Sequence, residues 1–278
     1  MPELPEVETI VRALRDGGRG GEALPGRQIQ GARVLWERTL ATPDSQEFAV
    51  RITGQLIKTV ERRGKFLLLP LSTDTLLIHL RMSGDLRVEP SELNGVEADL
   101  KPHDRAVVLL QGGLRLVFHD PRKFGRIWLV ADPNSVLANL GPDPFSPILT
   151  PQEFHQRLIS KKRQLKPLLL DQSFMAGLGN IYTDEALHMA GLHPLIASDQ
   201  LNIGQAEVLL IAIRKVLAEG IRRNGASIDW VYRGGDFQNS FRVYQRTGEA
   251  CPVCGQTIQR MTVGQRGTHY CPNCQPRG

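Results

Sequence analysis

The sequence has few aromatic residues, no long apolar run and no cysteine before residue 251. Aromatic residues make up only 6% of its 278 residues, which argues against binding of single-stranded nucleic acid by stacking of successive bases. No apolar run is long enough to span a membrane, and the first residues lack the basic and apolar regions of a signal peptide. We therefore expect a cytoplasmic protein with no membrane partner. The net charge of +5 permits a polyanionic partner but does not require one.

All four cysteines lie in two Cys-x-x-Cys pairs, Cys251 with Cys254 and Cys271 with Cys274. This spacing is typical of a four-cysteine zinc site, in which each pair gives two thiolates to one tetrahedral ion. The alternatives are two disulfides or four unbonded thiols, and the lack of an export signal favours zinc. Four thiolate ligands leave no open coordination position, so we expect one structural Zn²⁺ ion.

The hydrophobic pattern divides the chain into a strand-rich part and a helical part. A helix is predicted from Pro5 to about Arg15, and short strands rich in valine, isoleucine and leucine follow from about residue 27 to 130. No long helices alternate with these strands, so we expect two packed antiparallel sheets. The proline-rich stretch 132–151 is the predicted domain boundary. Beyond it, the pattern predicts helices at about 152–160, 164–171, 180–190 and 204–223, and a polar loop at 225–240.

The first residues of the chain, Met-Pro-Glu-Leu-Pro-Glu-Val-Glu, favour two different interpretations. Removal of Met1 would leave Pro2 with a secondary amine, and an α-amino group, with a pKa of about 7.7–8, is partly neutral and nucleophilic near pH 7. Attack of this amine on an aldehyde-level carbon gives an iminium, and Glu3 and Glu6 are close enough in sequence to move protons. The alternative is an ordinary helix start, with Pro5 at the first helical position and acids in the first turn.

Three segments of the strand-rich part suit contacts with a duplex. Lys65 follows Gly64 at the start of a strand that we expect to be buried on both faces, and it either reaches a phosphate or reacting group or lies in a solvated turn. Met82 is predicted at an exposed turn, where it can wedge between bases, although a methionine more often fills a core. Arg122 and Phe124 would share one face of extended backbone, where the cation meets an orphaned base and the ring stacks. An ordinary turn is the alternative.

Three features of the helical part suit contacts with phosphate. The segment Gly-Leu-Gly-Asn, ending at Asn180, precedes a helix whose free N–H groups can bind phosphate and which Asn180 can cap. Its alternative is a plain turn between helices. Lys161 begins a basic run that forms either a solvated face or a track for phosphates. Between the cysteine pairs, residues 264–268 are predicted as the tip of a β-hairpin that presents Arg266 to a duplex.

Six motifs make the chain resemble bacterial formamidopyrimidine-DNA glycosylase from residue 1 to about residue 275. In order, they are MPELPEVE, RRGKFLLL, HLRMSG, DPRKFG, GLGNIYTDEAL and CPVC…GQRGTHYCPNC. The resemblance implies an α+β fold with four parts: an N-terminal antiparallel β-sandwich catalytic domain with flanking helices (1–131), a linker (132–151), a helix–two-turn–helix DNA-binding domain with a lesion loop (152–241) and a zinc-finger β-hairpin (242–278).

The resemblance also implies an activity and a role for each matching residue. The implied enzyme is a monomer of the bacterial cytoplasm and nucleoid that releases 8-oxoguanine and formamidopyrimidines from damaged double-stranded DNA and then nicks the strand. The implied catalytic residues are Pro2 as the nucleophile, Glu3 as the group that moves protons, Glu6 as its support, Lys65 and Arg266. The implied DNA contacts are His79, Asn180 and Arg266 on the backbone, with Met82, Arg122 and Phe124 filling the space of the extruded nucleotide. Lys161, from the basic run, is a further expected DNA contact.

Two alternative functions share much of this pattern. A glycosylase of the endonuclease VIII type prefers oxidised pyrimidines, but Leu4, Met82 and Phe124 within their motifs favour the purine branch. A non-catalytic zinc-containing DNA-binding protein would share the basic charge and the cysteine module, but it has no need of Pro2 or Glu3.

Overall fold

The computed structural model describes residues 1–91, 100–227 and 234–277, and it divides into two compact units. Among the described residues, the first unit comprises residues 1–2 and 6–138, and the second comprises residues 3–5, 139–227 and 234–277. The division at residue 138 falls inside the stretch 132–151 that the prolines mark. No described helix is both long enough and apolar enough to cross a membrane.

The first unit is built around two β-sheets. A four-stranded sheet has the order β1-β7-β8-β6, and a five-stranded sheet has the order β2-β9-β5-β4-β3. The strands are β1 (Ile29–Val34), β2 (Leu40–Thr42), β3 (Glu61–Arg63), β4 (Phe66–Pro70), β5 (Thr75–His79), β6 (Asp85–Pro90), β7 (Asp104–Leu110), β8 (Leu114–His119) and β9 (Arg126–Val130).

The expected pair of sheets is therefore present, with one departure from antiparallel pairing. The short edge strand β2 pairs with β9 in parallel, whereas every other pairing in the two sheets is antiparallel. A long stretch of chain separates β2 from β9, so no tight hairpin imposes the antiparallel direction on this pair.

Two helices flank the sheets. Helix α1 (Leu4–Asp16) buries Val7, Ile10, Val11 and Leu14 in the core that the sheets also form, which is the helical spacing predicted for that segment. Helix α2 (Ser45–Ile52) interrupts the strand-rich part and was not predicted from the sequence. Asp44 caps α2 by accepting hydrogen bonds from two backbone N–H groups of its first turn. A four-residue helix, α3 (Asn134–Leu137), closes the unit.

The prediction that the strand after Lys65 is buried on both faces is wrong. Burial alternates along β4, so that Leu67 and Leu69 are buried whereas Phe66 and Leu68 are only half-buried. The half-buried face is covered by rings: the Phe66 ring lies 4.7 Å from that of His79 and 5.6 Å from that of Trp128, measured between centroids. The apolar residues on one face of β4 therefore pack in the core, and those on the other face pack against aromatic rings.

The second unit consists of four principal helices and a β-hairpin. The helices are α4 (Pro151–Ile159), α5 (Leu165–Leu170), α6 (Asn180–Ala190) and α7 (Ile203–Arg222), and the hairpin pairs β10 (Gln259–Val263) with β11 (Arg266–Tyr270). Local signals explain the helix ends. Thr150 caps α4, Asn202 forms a capping box at α7, and Gly191 ends α6 in the left-handed conformation with φ 68°.

The predicted polar loop at 225–240 is only partly described, because residues 228–233 lie outside the described residues. On either side of that gap, the Ser227 hydroxyl donates to the carbonyl of Gly235 at 2.9 Å. The end of the segment is not a polar loop, since residues 237–240 form a short 3₁₀ helix. Phe237 is buried there and stacks on Tyr182 with 5.1 Å between ring centroids.

Candidate active site and nucleic-acid interface

Two turns of the first unit are joined by a buried hydrogen bond. One turn follows β5 and contains Met82, and the other follows β8 and contains Arg122. The Ser83 hydroxyl donates a short hydrogen bond to the carboxylate of Asp120, and both side chains are buried. Asp120 also accepts from the backbone N–H groups of Arg122 at 3.2 Å and Gly125 at 2.7 Å. The turns that carry the three residues expected to invade a duplex are therefore held together.

The side chains at these turns are exposed, as a duplex contact requires. Met82 is 38% exposed and Phe124 is 49% exposed, and the Arg122 guanidinium lies 5.2 Å from the centroid of the Phe124 ring. The backbone between them is not extended as expected, because Lys123 has φ 62° in the left-handed region. The turn is sharper than a strand, yet it still places the cation beside the ring.

Lys65 and His79 are brought together at one end of the five-stranded sheet. Gly64 and Lys65 form the turn between β3 and β4, and the first residue of β4 pairs with His79 at the end of β5. Lys65 is buried, which contradicts the alternative of a solvated basic turn. A lysine buried in a hairpin turn is unusual and needs a polar reason for its position.

The side chain of His79 is a neutral imidazole, and its hydrogen bond to the backbone shows which ring nitrogen carries the proton. Burial lowers the pKa of His79 to about 3, and the charges of Arg81 and Lys65 lower it further in the same direction. Its Nδ1 accepts a hydrogen bond from the backbone N–H of Arg81 at 3.0 Å, so the ring proton is on Nε2. His79 can therefore donate one hydrogen bond from Nε2 without carrying a charge.

Two residues near the start of the chain that belong to the first unit are also buried. Pro2 and Glu6 are both buried, although Met1 is exposed. Two residues after Glu6, the Glu8 carboxylate accepts from Arg62 on β3 at 3.0 Å. Burial alone would raise the pKa of Glu8, but hydrogen bonds from Arg62 and Arg12 hold it below its usual value. This ion pair ties α1 to the hairpin that carries Lys65.

In the second unit, the Glu3 carboxylate lies at the N-terminus of α6. Its Oε1 accepts from the backbone N–H of Ile181 at 3.0 Å, and its Oε2 accepts from that of Tyr182 at 3.4 Å. A side chain at Gly179 would overlap the Glu3 carboxylate, so a glycine is required at that position. The carboxylate gains from the helix dipole as well as from the two N–H groups.

Two predictions about the glycine segment are therefore wrong. The backbone N–H groups at the start of α6 are not available to bind a phosphate, because they already donate to the Glu3 carboxylate. Asn180 does not cap the helix, because the capping residue is Gly179 and Asn180 is the first residue of α6. The sequence shows an anion-binding helix start, but the anion comes from a residue far away in the chain.

Asn180 instead helps to hold the hairpin that carries Arg266. Its Nδ2 donates to the carbonyl of Gly267 at 3.0 Å, and the Lys166 ammonium donates to the same oxygen at 3.0 Å. Lys166 also donates to Asp184 at 2.6 Å, and both side chains are fully buried. Burial lowers the pKa of Lys166 although the Asp184 charge opposes this shift. The second oxygen of Asp184 accepts from the backbone N–H of His269 at 2.9 Å.

Arg266 is exposed at the start of β11, next to the anchored Gly267, as expected for a hairpin tip. The interpretation of residues 161–166 as one basic face is wrong at its last position, because Lys166 is sealed inside the unit. Lys161 at the other end is exposed, and its backbone carbonyl accepts a short hydrogen bond from the Ser198 hydroxyl. Lys161 also lines a surface pocket together with Arg157 and Arg163.

The four cysteines form a cluster that fits a zinc ion. Their sulfur atoms all lie within 4.8 Å of one another, with 3.8 Å between Cys251 and Cys274 and 3.4 Å between Cys254 and Cys271. A tetrahedron with Zn–S bonds of about 2.3 Å requires sulfur atoms about 3.8 Å apart. A disulfide requires about 2.05 Å, so the disulfide alternative does not fit. Four thiolates close the coordination sphere, which makes the site structural.

Sequence reasoning missed the buried polar residues that position these side chains. Ser83 and Asp120 join the two turns, and Lys166 and Asp184 hold the hairpin. One signal was present: Asp184 and Glu185 are adjacent acids in an otherwise mostly apolar helix, and a buried carboxylate needs partners. Glu185 accepts three backbone N–H groups from residues 242–244. The sequence pattern does not show which groups are the partners of these two carboxylates.

Models of one protein family match almost the whole chain. The N-terminal domain of formamidopyrimidine-DNA glycosylase matches residues 1–127, the H2TH domain of the same enzyme matches residues 140–231, and a zinc finger found in FPG and IleRS matches residues 248–277. The chain belongs to the formamidopyrimidine-DNA glycosylase family. The resemblance seen in the six motifs is thereby confirmed, as are the fold class and the single structural zinc ion.

Individual members of the family are similar over their full length. The chain is 40% identical to the formamidopyrimidine-DNA glycosylase of Protochlamydia amoebophila, with all of both chains covered, and 44% identical to that of Chloroflexus aggregans, with 99% of this chain and 98% of the relative covered. Among solved structures, the Lactococcus lactis enzyme bound to DNA containing an abasic site has a TM-score of 0.88 at 34% identity, covering 99% of this chain and 100% of that one. The Lactococcus lactis enzyme bound to DNA containing a formamidopyrimidine lesion gives the same score at 33% identity and the same coverage.

Proposed function

We propose that the chain excises oxidised purines, namely 8-oxoguanine and formamidopyrimidines, from damaged double-stranded DNA and then nicks the strand. By its family, the chain is a DNA glycosylase of base-excision repair. The observation that carries the finer proposal is the Glu3 carboxylate, which two backbone N–H groups hold at the start of α6. Glu3 is joined by a single peptide bond to Pro2, so a fixed carboxylate adjoins the proposed nucleophile.

The proposed reaction begins at the Pro2 nitrogen once Met1 has been removed. The neutral amine attacks C1′ of the damaged nucleotide, the N-glycosidic bond breaks, and the base leaves with its electron pair and a proton. The C1′–O4′ bond then breaks, O4′ takes a proton and the Pro2 nitrogen forms the iminium with C1′. This iminium acidifies the C2′ hydrogen, whose loss expels the phosphate at C3′. A second elimination expels the phosphate at C5′ and leaves a one-nucleotide gap. Glu3 moves protons when the sugar opens and in the later stages, with Glu6 in support, and Lys65 and Arg266 are the other proposed catalytic residues.

The proposed contacts with DNA fall into two groups of side chains. In the first unit, Met82, Arg122 and Phe124 fill the space of the extruded nucleotide, where a ring and a cation offset part of the few kcal/mol that unstacking costs. His79 suits a backbone contact because its neutral ring donates from Nε2 to a phosphate oxygen.

In the second unit, Lys161 and Arg266 are exposed cations for the DNA backbone. Asn180 is half-buried, and its Nδ2 donates one hydrogen bond to the hairpin. Because the amide nitrogen carries two hydrogens, we propose that Asn180 both contacts the DNA backbone and holds Gly267, the neighbour of Arg266. We further propose that the enzyme is a monomer that works in the cytoplasm on nucleoid DNA.

Trapping with borohydride tests the nucleophile. Reduction of the iminium should link the enzyme covalently to a duplex that contains 8-oxoguanine opposite cytosine, giving one shifted band on a denaturing gel. The Pro2→Gly variant, and a protein that keeps a tag before residue 2, should lose this band. Pro5→Ala is the matched control and should keep it. Trapping that persists at normal yield in the tagged protein would exclude Pro2 as the nucleophile.

The Glu3→Gln variant tests the acid. A glutamine can still accept from the N–H groups of α6 through its amide oxygen, so folding and DNA binding should be preserved while base excision is lost. Glu207→Gln changes an exposed glutamate of α7 and serves as the control. Normal turnover by Glu3→Gln would remove Glu3 from the mechanism.

Strong preference for a thymine-glycol duplex over the 8-oxoguanine duplex would overturn the proposed substrate class.

A further inference from the structure

A histidine outside the four-cysteine cluster contacts one of its sulfur atoms. His188 lies near the C-terminal end of α6, and its Nε2 is 3.4 Å from the Sγ of Cys251. Both residues are buried, with 4% of His188 and 3% of Cys251 exposed. The distance is within the normal range for a hydrogen bond to sulfur, and water does not compete for it at this depth.

The chemistry of the sulfur decides the direction of this hydrogen bond. A zinc-bound thiolate has no hydrogen and can only accept, so the donor must be the N–H group at Nε2 of His188. Nδ1 is then the nitrogen without a hydrogen in the neutral ring. Nδ1 has no hydrogen-bond partner among the residues that the structure describes. A donor at Nε2 and a bare Nδ1 form the one neutral tautomer that satisfies this contact.

The other cysteine pair is held near the same end of α6 by a second polar contact. Gln275 is fully buried, and its Oε1 accepts from the backbone N–H of Cys271 at 3.0 Å. Its Nε2 donates to the carbonyl of Leu192, just beyond α6, at 2.9 Å. Both cysteine pairs are therefore fixed to one helix end, which makes the position of His188 relative to Cys251 a built feature.

The negative charge of the zinc–thiolate site makes a hydrogen bond from His188 favourable. Four thiolates and one Zn²⁺ ion carry a net charge of −2, and the negative charge on the buried sulfurs of Cys251 and Cys271 is unfavourable unless donors offset it. Groups that hydrogen-bond to metal ligands orient the ligands and tune the metal. An N–H donor withdraws electron density from the sulfur, which lowers its tendency to be protonated or alkylated.

We propose that His188 donates an N–H···S hydrogen bond to the zinc-bound thiolate of Cys251 and thereby strengthens zinc binding and protects that sulfur. His188 is a positioning residue, because it acts through the cysteine and does not touch the metal. This role of His188 is independent of the glycosylase chemistry. His188 also lies outside the six motifs that carry the family resemblance.

Chelator competition and alkylation on the zinc-loaded protein test this proposal. The His188→Phe variant keeps a ring of similar size without the donor, and its zinc affinity, measured against 4-(2-pyridylazo)resorcinol, should fall about 10- to 100-fold. N-ethylmaleimide should then modify Cys251 faster than in the original protein, as located by peptide mass spectrometry. His188→Gln places an amide N–H near the position of Nε2 and should restore both properties in large part.

A second buried histidine provides the control. His193 is as buried as His188, and its ring packs at 5.0 Å from the Tyr270 ring. Its Nδ1 accepts from the backbone N–H of Leu195 at 3.2 Å. His193→Phe should leave zinc affinity and Cys251 alkylation near their original values. Equal losses in His193→Phe and His188→Phe would show a general loss of packing and overturn the proposal, as would an unchanged zinc affinity in His188→Phe.

A measurement on the unmodified protein remains informative even where the phenylalanine variant does not fold. Long-range ¹H–¹⁵N spectra of the histidine-labelled zinc protein report which ring nitrogen carries the proton. We expect His188 to be the neutral tautomer with its proton on Nε2. A neutral ring with its proton on Nδ1 cannot donate to Cys251 and would refute the hydrogen bond directly.

Discussion

The Lys166→Met variant should loosen the hairpin that carries Arg266 without disturbing the first unit. Methionine keeps the length and most of the volume of the lysine side chain but removes its charge and its donors. The Asp184 carboxylate would then remain fully buried without its 2.6 Å cationic partner, and the Gly267 carbonyl would lose the hydrogen bond from Lys166 while keeping that from the Asn180 side chain.

The size of the effect follows from which partner is lost. Removing one member of a buried ion pair costs about 3–5 kcal/mol, because the remaining charge is uncompensated. If α5, α6 and β11 open together, this loss corresponds to roughly 150- to 5,000-fold faster amide exchange, since about 1.4 kcal/mol is a factor of ten. The backbone N–H of His269, which donates to Asp184, should be among the most affected.

Hydrogen exchange followed by mass spectrometry resolves this prediction by segment. Peptides from α5, α6 and β11 should exchange faster in Lys166→Met, whereas peptides from the two sheets should not change. Lys162→Met, at an exposed position of the same basic run, is the control and should resemble the original protein. The double variant Lys166→Met/Asp184→Asn should recover part of the loss, because it also removes the unpaired charge. Less than a tenfold change in the single variant would refute the ion pair as the anchor of the hairpin.

Two other predictions concern the proposed active site. Because burial lowers the pKa of His79 to about 3 in the native state, the unfolded state binds its proton first as the pH falls below about 6.5. The free energy of unfolding should therefore decrease towards pH 3, by up to about 1.4 kcal/mol per pH unit for this group. The His79→Asn variant, which can still accept from Arg81, should show a shallower decrease in urea unfolding at pH 7, 5.5 and 4.5; parallel profiles would contradict this account. Gly179→Ala should displace the Glu3 carboxylate, and a displacement of about 1 Å should slow single-turnover excision roughly 100-fold. Gly204→Ala is the control, because an added Cβ there would meet the Asn202 side-chain oxygen at an ordinary contact distance of 3.4 Å. Unimpaired excision by Gly179→Ala would show that the position of Glu3 is not critical.

Local patterns predicted much of the fold because its elements carry their own signals. The boundaries of α4, α6 and α7 follow from caps, glycines and prolines in the segment itself, and the hairpin between the cysteine pairs follows from its turn. Helix α2 was missed because it is short and lies within a strand-rich stretch. Its cap at Asp44 is a local signal, but a single cap does not outweigh the surrounding pattern. The parallel pairing of β2 was missed because pairing direction depends on residues far apart in the chain.

The zinc site was the part of the chemistry most open to prediction. Its four ligands come in two short pairs, so spacing alone brings two thiolates together in each pair. The fixed distances between the sulfur atoms then follow from the ion that they bind. His188 could not be found in this way, because it lies 63 residues from Cys251 in the sequence and its own surroundings are those of an ordinary buried helix.

The contacts of Glu3 show why the remaining part of the site resisted prediction. The sequence contains both halves of this arrangement: an acid beside a proline at the start of the chain, and a glycine-rich helix start suited to an anion. Each half is visible on its own in the sequence, but the helix start alone indicates either a phosphate site or a plain turn. The actual anion lies 178 residues away. The glycines are the only local trace of it, since Gly179 is required where the Glu3 carboxylate approaches the backbone. A helix N-terminus identifies the charge of its ligand, but only the tertiary fold identifies which ligand arrives.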